Sequence, residues 1–180
     1  MHLIGHSRGG AVAVEIAKSH AEVIRTLVLP DGSIEMPAPE TAEGKAAGDF
    51  TKKLIGTLQE NLKTGDSAKA AEVFIDMLSG SGTWLRSPES MKEMVLTNIY
   101  SALGDKHRPI STCADVKKFD FPVLLMTADK SPKKFDFMYS EMRKCREFPA
   151  TVVIPDAAHG MQRLNPDVFN KVTLEFLSQH

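Results

Sequence analysis

The chain has 180 residues, a formal net charge of -1, and 42% hydrophobic and 25% charged residues. That length supports a sizeable core, and so even a charge balance gives no reason to expect nucleic acid or an acidic membrane surface as a partner. No stretch approaches the roughly 18 apolar residues of a membrane helix, and "MHLIGHS" has neither the basic nor the long apolar region of a leader, so a cytoplasmic location is expected.

Taken in order, "HLIG" reads as the end of a buried strand, broken at Gly5. "GGAVAVEIAKSHAE" reads as a helix that opens on small residues and carries Val12 and Ile16 on one face. "VIRTLVLP" is a continuous apolar run, the texture of a strand covered on both faces of a parallel sheet. Strand, helix and strand in so few residues make a βαβ unit. "DGSIEMPAPETAEG" then reads as a loop. From about Lys45 to Gly104 the apolar residues follow a helical period: Phe50, Leu54, Leu58 and Leu62, then Val73, Phe74, Met77 and Leu78. "SGSGTW" interrupts them, Ser87 with Pro88 is placed as a helix start, and Met91, Met94, Val95 and Ile99 make a third stripe. Strand texture returns at "FPVLLMT" and "ATVVIP". Between them lies a helix for which Ser131 is the expected cap. The last helix is capped by Asn165, with Pro166 in its first position.

One motif carries chemistry. Gly5-His6-Ser7-Arg8-Gly9 fits G-x-S-x-G. A serine held on a sharp strand-to-helix turn needs small residues two positions away, so that strand and helix can approach. The bland alternative is an ordinary turn with a capping serine. The apolar run before it and the small-residue helix after it favour the nucleophile.

"LIGHSRGG", "RTLVLPDGS", "FPVLLMTADKSP" and "VVIPDAAHGMQRLNPDVFNKVTLEFL" together resemble the α/β-hydrolase family, over essentially the whole chain. The resemblance implies an α/β fold: the C-terminal half of an α/β-hydrolase sheet, four mostly parallel strands flanked by helices, with a helical cap insertion. Residues 1–33 and 118–180 would form the hydrolase core and 34–117 the cap. The nucleophile then comes first, the acid next and the histidine last.

On that pattern Ser7 is the nucleophile and His159, in "PDAAHGM", the base it needs. His6 would brace the turn, and His2, His20, His107 and His180 have only bland readings. The acid is open. Aligned on the resemblance, the common acid position holds Ser131. Asp31, just past the preceding strand, is the favoured acid and Asp129 the alternative, while Asp156 is expected to face its own turn. The backbone N–H of Arg8 would be one oxyanion donor. The family's second donor lies on a loop after an earlier strand that this chain does not contain.

The implied reaction is hydrolysis of a small carboxylic ester, thioester or lactone through an acyl-enzyme. It requires no metal and no organic cofactor, and the chain shows no zinc-ligand spacing or dinucleotide fingerprint. The expected partner is a small-molecule acyl substrate, with no nucleic acid and no membrane. Self-association through an open strand edge at residues 2–5 is a further expectation. The family's sheet has further strands before the elbow, so the chain is expected to be the C-terminal part of a longer enzyme. The competing expectation is an impaired or inactive fragment that needs a partner chain or a missing N-terminal half. The two cysteines, Cys113 and Cys145, are expected as reduced thiols.

Overall fold

The computed structural model describes residues 1–37, 39–103 and 109–180; His107 lies outside the described residues. Two compact units are present, one of residues 1–39 and 109–180 and one of residues 40–108.

The first unit holds a four-stranded sheet in the order β1 (His2–Ile4), β2 (Thr26–Pro30), β3 (Val123–Ala128) and β4 (Val152–Ile154). All three pairings are parallel, with His2 opposite Thr26, Leu27 opposite Val123 and Met126 opposite Val152. The two central strands are buried along their whole length, because helices cover both faces. Strand side chains alternate between faces, and the core divides accordingly. Leu27, Leu29, Val123 and Leu125 pack with Ala13, Val14 and Ala17 of α1 (Arg8–Ser19), and with Tyr139 and Met142 of α7 (Lys134–Cys145). Val28, Leu124 and Met126 pack on the opposite face with Met161 of α8 (Met161–Leu164) and with Val168, Phe169, Val172 and Phe176 of α9 (Pro166–Gln179). Each fully buried Leu or Val contributes about 1.5–3 kcal/mol of transfer free energy.

The face of α1 differs from the expected one. Val12 is exposed, and small residues take the inner positions. The cause is the tight fit of helix to strand. A Cβ on Gly5 would lie 2.6 Å from the Gly9 carbonyl oxygen and 2.7 Å from Ala13 Cβ.

The second unit contains α2 (Ala42–Lys63), α3 (Ser67–Ser79), α4 (Thr83–Arg86) and α5 (Glu89–Asn98). Leu58, Leu62, Ala70, Ala71 and Ile99 form its core, with Phe74 and Trp84 against them. Thr41 and Asp66 cap α2 and α3 through their side-chain oxygens. The break at "SGSGTW" is closed by Asp76, whose carboxylate accepts the N–H groups of Gly82 at 2.7 Å and Trp84 at 2.8 Å. Pro88, not Ser87, occupies the cap position of α5, and the Ser87 hydroxyl donates back to the Thr83 carbonyl.

Residues 34–39 and 109–117 group with the sheet rather than with the helices, a shorter helical unit than 34–117. Ile34 is buried in the first core and Glu35 bridges to Ile110, which ties both flanking segments to the sheet. Cys113, which opens the short α6 (Cys113–Val116), is joined to Cys145 at the end of α7 by a disulfide. This corrects the expectation of reduced thiols. The half-cystines stand 32 residues apart with no signature spacing, and only the packing of α6 beside α7 brings their Cα atoms to 4.9 Å. Among the described residues, no helix is long and apolar enough to cross a membrane.

Candidate active site

Ser7 lies between β1 and α1 with φ 53° and ψ -127°. A side chain rarely adopts this conformation, which costs of order 1–3 kcal/mol and has to be held by its surroundings. Here the strand and helix supply the hold. Ser7 donates its N–H to the Pro30 carbonyl at 3.3 Å, and its own carbonyl accepts from Gly10 and Ser33, each at 2.8 Å. Asp31 and Asp156 are the other non-glycine residues with positive φ among those described. Each of the three lies within three residues of the end of a strand, at the carboxyl end of the parallel sheet, where α/β folds place their ligands.

The structure brings Ser7, His159 and Asp31 together. Ser7 Oγ is 2.8 Å from His159 Nε2, and His159 Nδ1 is 3.0 Å from Asp31 Oδ2. A carboxylate only accepts, so it accepts a hydrogen bond from His159 Nδ1–H, which keeps the proton on Nδ1 and leaves Nε2 free to accept from the serine hydroxyl. Both His159 and Asp31 are buried. Register explains how Asp31 arrives. Pro30 sits opposite Met126, so the next residue emerges beside the end of β3, with its N–H on the Met126 carbonyl at 2.8 Å.

Asp129 does not reach His159. Its two carboxylate oxygens accept the N–H groups of Asp156 at 2.9 Å and Ala157 at 3.0 Å. The Asp156 N–H is the larger cause holding this carboxyl below its usual range. Asp129 thereby shapes the loop that carries His159. Asp156 turns to solvent, facing Lys130 Nζ at 3.4 Å. Ser131 is not a helix cap. The cap position of α7 is Lys133, and the Ser131 hydroxyl donates to Asp31 Oδ2 at 2.6 Å. Arg8 is the first residue of α1, so its N–H belongs to the helix N-terminus, which favours negative charge.

Of the remaining neighbours, only His6, expected to brace the turn, carried a sequence signal. The imidazole of His159 stacks on Phe135, centroids 4.9 Å apart and 11° from parallel, with the His6 ring 4.6 Å away. His6 Nε2–H donates to the His159 carbonyl at 2.7 Å, so the elbow braces the histidine loop as well as itself. Burial, and secondly the nearby His159, push the His6 pKa down to about 4. Tyr139 accepts the Gly32 N–H at 2.7 Å and donates to the Leu29 carbonyl at 2.5 Å, which clamps the turn that presents Asp31. Burial pushes its phenol well above the ordinary range. Thr127 Oγ1 donates to Asp31 Oδ1 at 2.8 Å. Among the described residues, no group of three His, Cys, Asp or Glu side chains is placed to hold a metal ion.

The sequence matches the Alpha/beta hydrolase family over residues 2–172. A Bacillus subtilis (strain 168) protein, provisionally named 2-succinyl-6-hydroxy-2,4-cyclohexadiene-1-carboxylate synthase, is 23% identical over 188 residues, covering 98% of this chain and 65% of that relative. A thermophilic esterase from Thermogutta terrifontis superposes with a TM-score of 0.68 at 23% identity, covering 99% of this chain and 65% of the esterase. A carboxylesterase from Bacillus subtilis gives a TM-score of 0.67 at 18% identity, covering 99% of this chain and 60% of the carboxylesterase. The chain thus spans less than two thirds of the length of these relatives, and at such identities the structural likeness shows the fold alone.

Proposed function

The chain belongs to the Alpha/beta hydrolase family, and on that premise we propose that it carries the catalytic residues of a serine hydrolase acting on a small carboxylic ester or similar acyl bond. The observation that supports this most is the continuous relay from Ser7 Oγ through both nitrogens of His159 to Asp31. Ser7 Oγ attacks the acyl carbon as His159 Nε2 takes its proton. The imidazolium forms against the buried Asp31 carboxylate, which keeps the ring in the productive tautomer and offsets its charge. The tetrahedral oxyanion points at the Arg8 N–H; one such donor is worth about 10²- to 10³-fold in kcat. His159 then returns the proton to the leaving alcohol, an acyl-Ser7 ester remains, and water activated by the same nitrogen releases the acid. Nothing in this sequence of steps draws on a metal or an organic cofactor. The acidic partner is Asp31 rather than Asp129, because both Asp129 oxygens are engaged by backbone N–H groups.

A fluorophosphonate probe tests this on the chain itself, since it needs an activated serine and no natural substrate. Labelling is expected at Ser7, located by peptide mass, and is lost in Ser7→Ala. A cooperatively melting protein that stays unlabelled would overturn the reading and favour the inactive alternative. Self-association belongs to the same proposal, because β1 is an edge strand with Ile4 exposed. Size-exclusion chromatography should show a dimer that Ile4→Lys converts to monomer; a monomer from the outset would remove this part.

A further inference from the structure

Asp31 is fully buried, and a buried carboxylate without hydrogen bonds is strongly destabilising. Its oxygens are served differently. Oδ1 accepts from Thr127 Oγ1 at 2.8 Å. Oδ2 accepts from Ser131 Oγ at 2.6 Å and also faces His159 Nδ1 at 3.0 Å. Ser131 is itself oriented, because its oxygen accepts the Ala128 N–H at 3.3 Å. A hydroxyl has a single proton to give, and that proton goes to the carboxylate. The Asp31 side chain is therefore held from two sides by hydroxyl groups of β3 and the turn that follows it. The short contact lies on the oxygen that meets the histidine. Rotation of the carboxylate about its Cβ–Cγ bond would break both hydroxyl contacts at once.

We propose that Ser131 is a positioning residue for the proton relay: its hydroxyl fixes Asp31 Oδ2 on the Nδ1–H of His159, with Thr127 holding the other oxygen. This rests on the reading of Ser7, His159 and Asp31 as the catalytic set. Charge-assisted hydrogen bonds are shorter and stronger than neutral ones, so Ser131 restricts the carboxylate more than packing alone would. The same contact makes a geometric statement. The Ser131 side chain ends 2.6 Å from the oxygen that serves His159. A carboxylate at this position is one atom longer and would extend toward the space that oxygen occupies.

Three variants test the proposal, each checked for a cooperative melt. Ser131→Ala should be labelled at Ser7 about tenfold to a hundredfold more slowly than the wild type. Asp31→Gly suits the positive φ of that position and should lose about 10³- to 10⁴-fold. Combining it with Ser131→Asp should regain at least about tenfold over Asp31→Gly alone, a rescue that a merely structural serine could not give. The far-downfield proton resonance of His159 Nδ1–H provides a readout independent of activity. It should be present in the wild type, absent in Asp31→Gly and restored in the double variant. If the wild type is unlabelled, the hydrolase reading fails while this resonance still decides the role of Ser131. Ser131→Ala labelling within about twofold of the wild type with an unchanged resonance overturns the proposal. So does a folded double variant without the resonance.

Discussion

Gly10 should matter more than the second glycine of the motif itself. It is the third residue of α1 and faces the turn that carries Asp31. A Cβ there would lie 2.5 Å from Gly32 Cα and 2.9 Å from both Gly32 C and Ser33 N. These are backbone atoms, so no side chain can rotate away. Carbon contacts relax at about 3.5–4.0 Å, so in Gly10→Ala the helix and turn must part by about 1 Å. Ser33 N–H is bonded to the Ser7 carbonyl across this seam, and Asp31 lies just before it. The separation therefore pulls the serine and the acid apart. Overpacking of this kind costs about 1–3 kcal/mol, or a melting temperature about 3–10 °C lower for a chain of this size. A displacement of about 1 Å at the site should slow Ser7 labelling by about 10²-fold. Gly9 is the control, because a Cβ on it meets nothing within 4 Å. Gly9→Ala should label within about threefold of the wild type and melt no lower, since alanine is the better helix former. Thermal melts by circular dichroism and probe-labelling rates of the two variants decide the matter. A Gly10→Ala protein that melts and labels like the wild type would refute the steric argument, as would a Gly9→Ala protein that is the more damaged of the two.

Asp31→Asn should lower the labelling rate by about 10³- to 10⁴-fold, since the amide no longer enforces the productive tautomer, whereas Asp129→Asn should stay within about tenfold of the wild type. Equal losses would undo the assignment of the acid. His6 should make the fold acid-sensitive, because the unfolded chain binds a proton near 6.5 and the folded one only near about 4. Between those values the unfolded state holds more protons, so stability falls as pH drops through the window, by up to about 3 kcal/mol. Urea melts from pH 7 to 4 should show this slope in the wild type and a shallower one in His6→Gln; parallel slopes would contradict it. Reduction of the Cys113–Cys145 disulfide, with its separation of 32 residues, should cost about 3–4 kcal/mol by the loop-closure argument. Melts with and without dithiothreitol measure the cost, and two free thiols in unreduced, denatured protein would contradict the bridge.

The alternation of buried runs with amphipathic ones was legible because each segment writes its own period into a few residues. β2 read as a doubly covered strand and β3 as a strand, and both lie at the centre of the sheet. The weak readings were those that depended on distant neighbours. Val12 is as apolar as Val14, yet only Val14 is buried, because the approach of α1 to β1 and β2 selects the side with small residues. Ser131 looked like a cap because serine before proline at a helix start is a local pattern. Its actual partner, Asp31, is 100 residues away.

The sequence by itself determined the α/β alternation, the strained serine turn and a histidine placed after the last strand, since turn chemistry and periodicity are set by residues close together in the chain. Tertiary structure decided which carboxylate meets that histidine. Asp31 and Asp129 both follow strands, and nothing in composition separates them. The register of β2 on β3 and the left-handed backbone at Asp31 turn its carboxylate inward to Thr127, Ser131 and His159. The N–H groups of Asp156 and Ala157 hold the Asp129 carboxylate on the loop instead. A carboxylate serves a proton relay only within hydrogen-bond distance, and that distance is set by how strands 96 residues apart come to lie side by side.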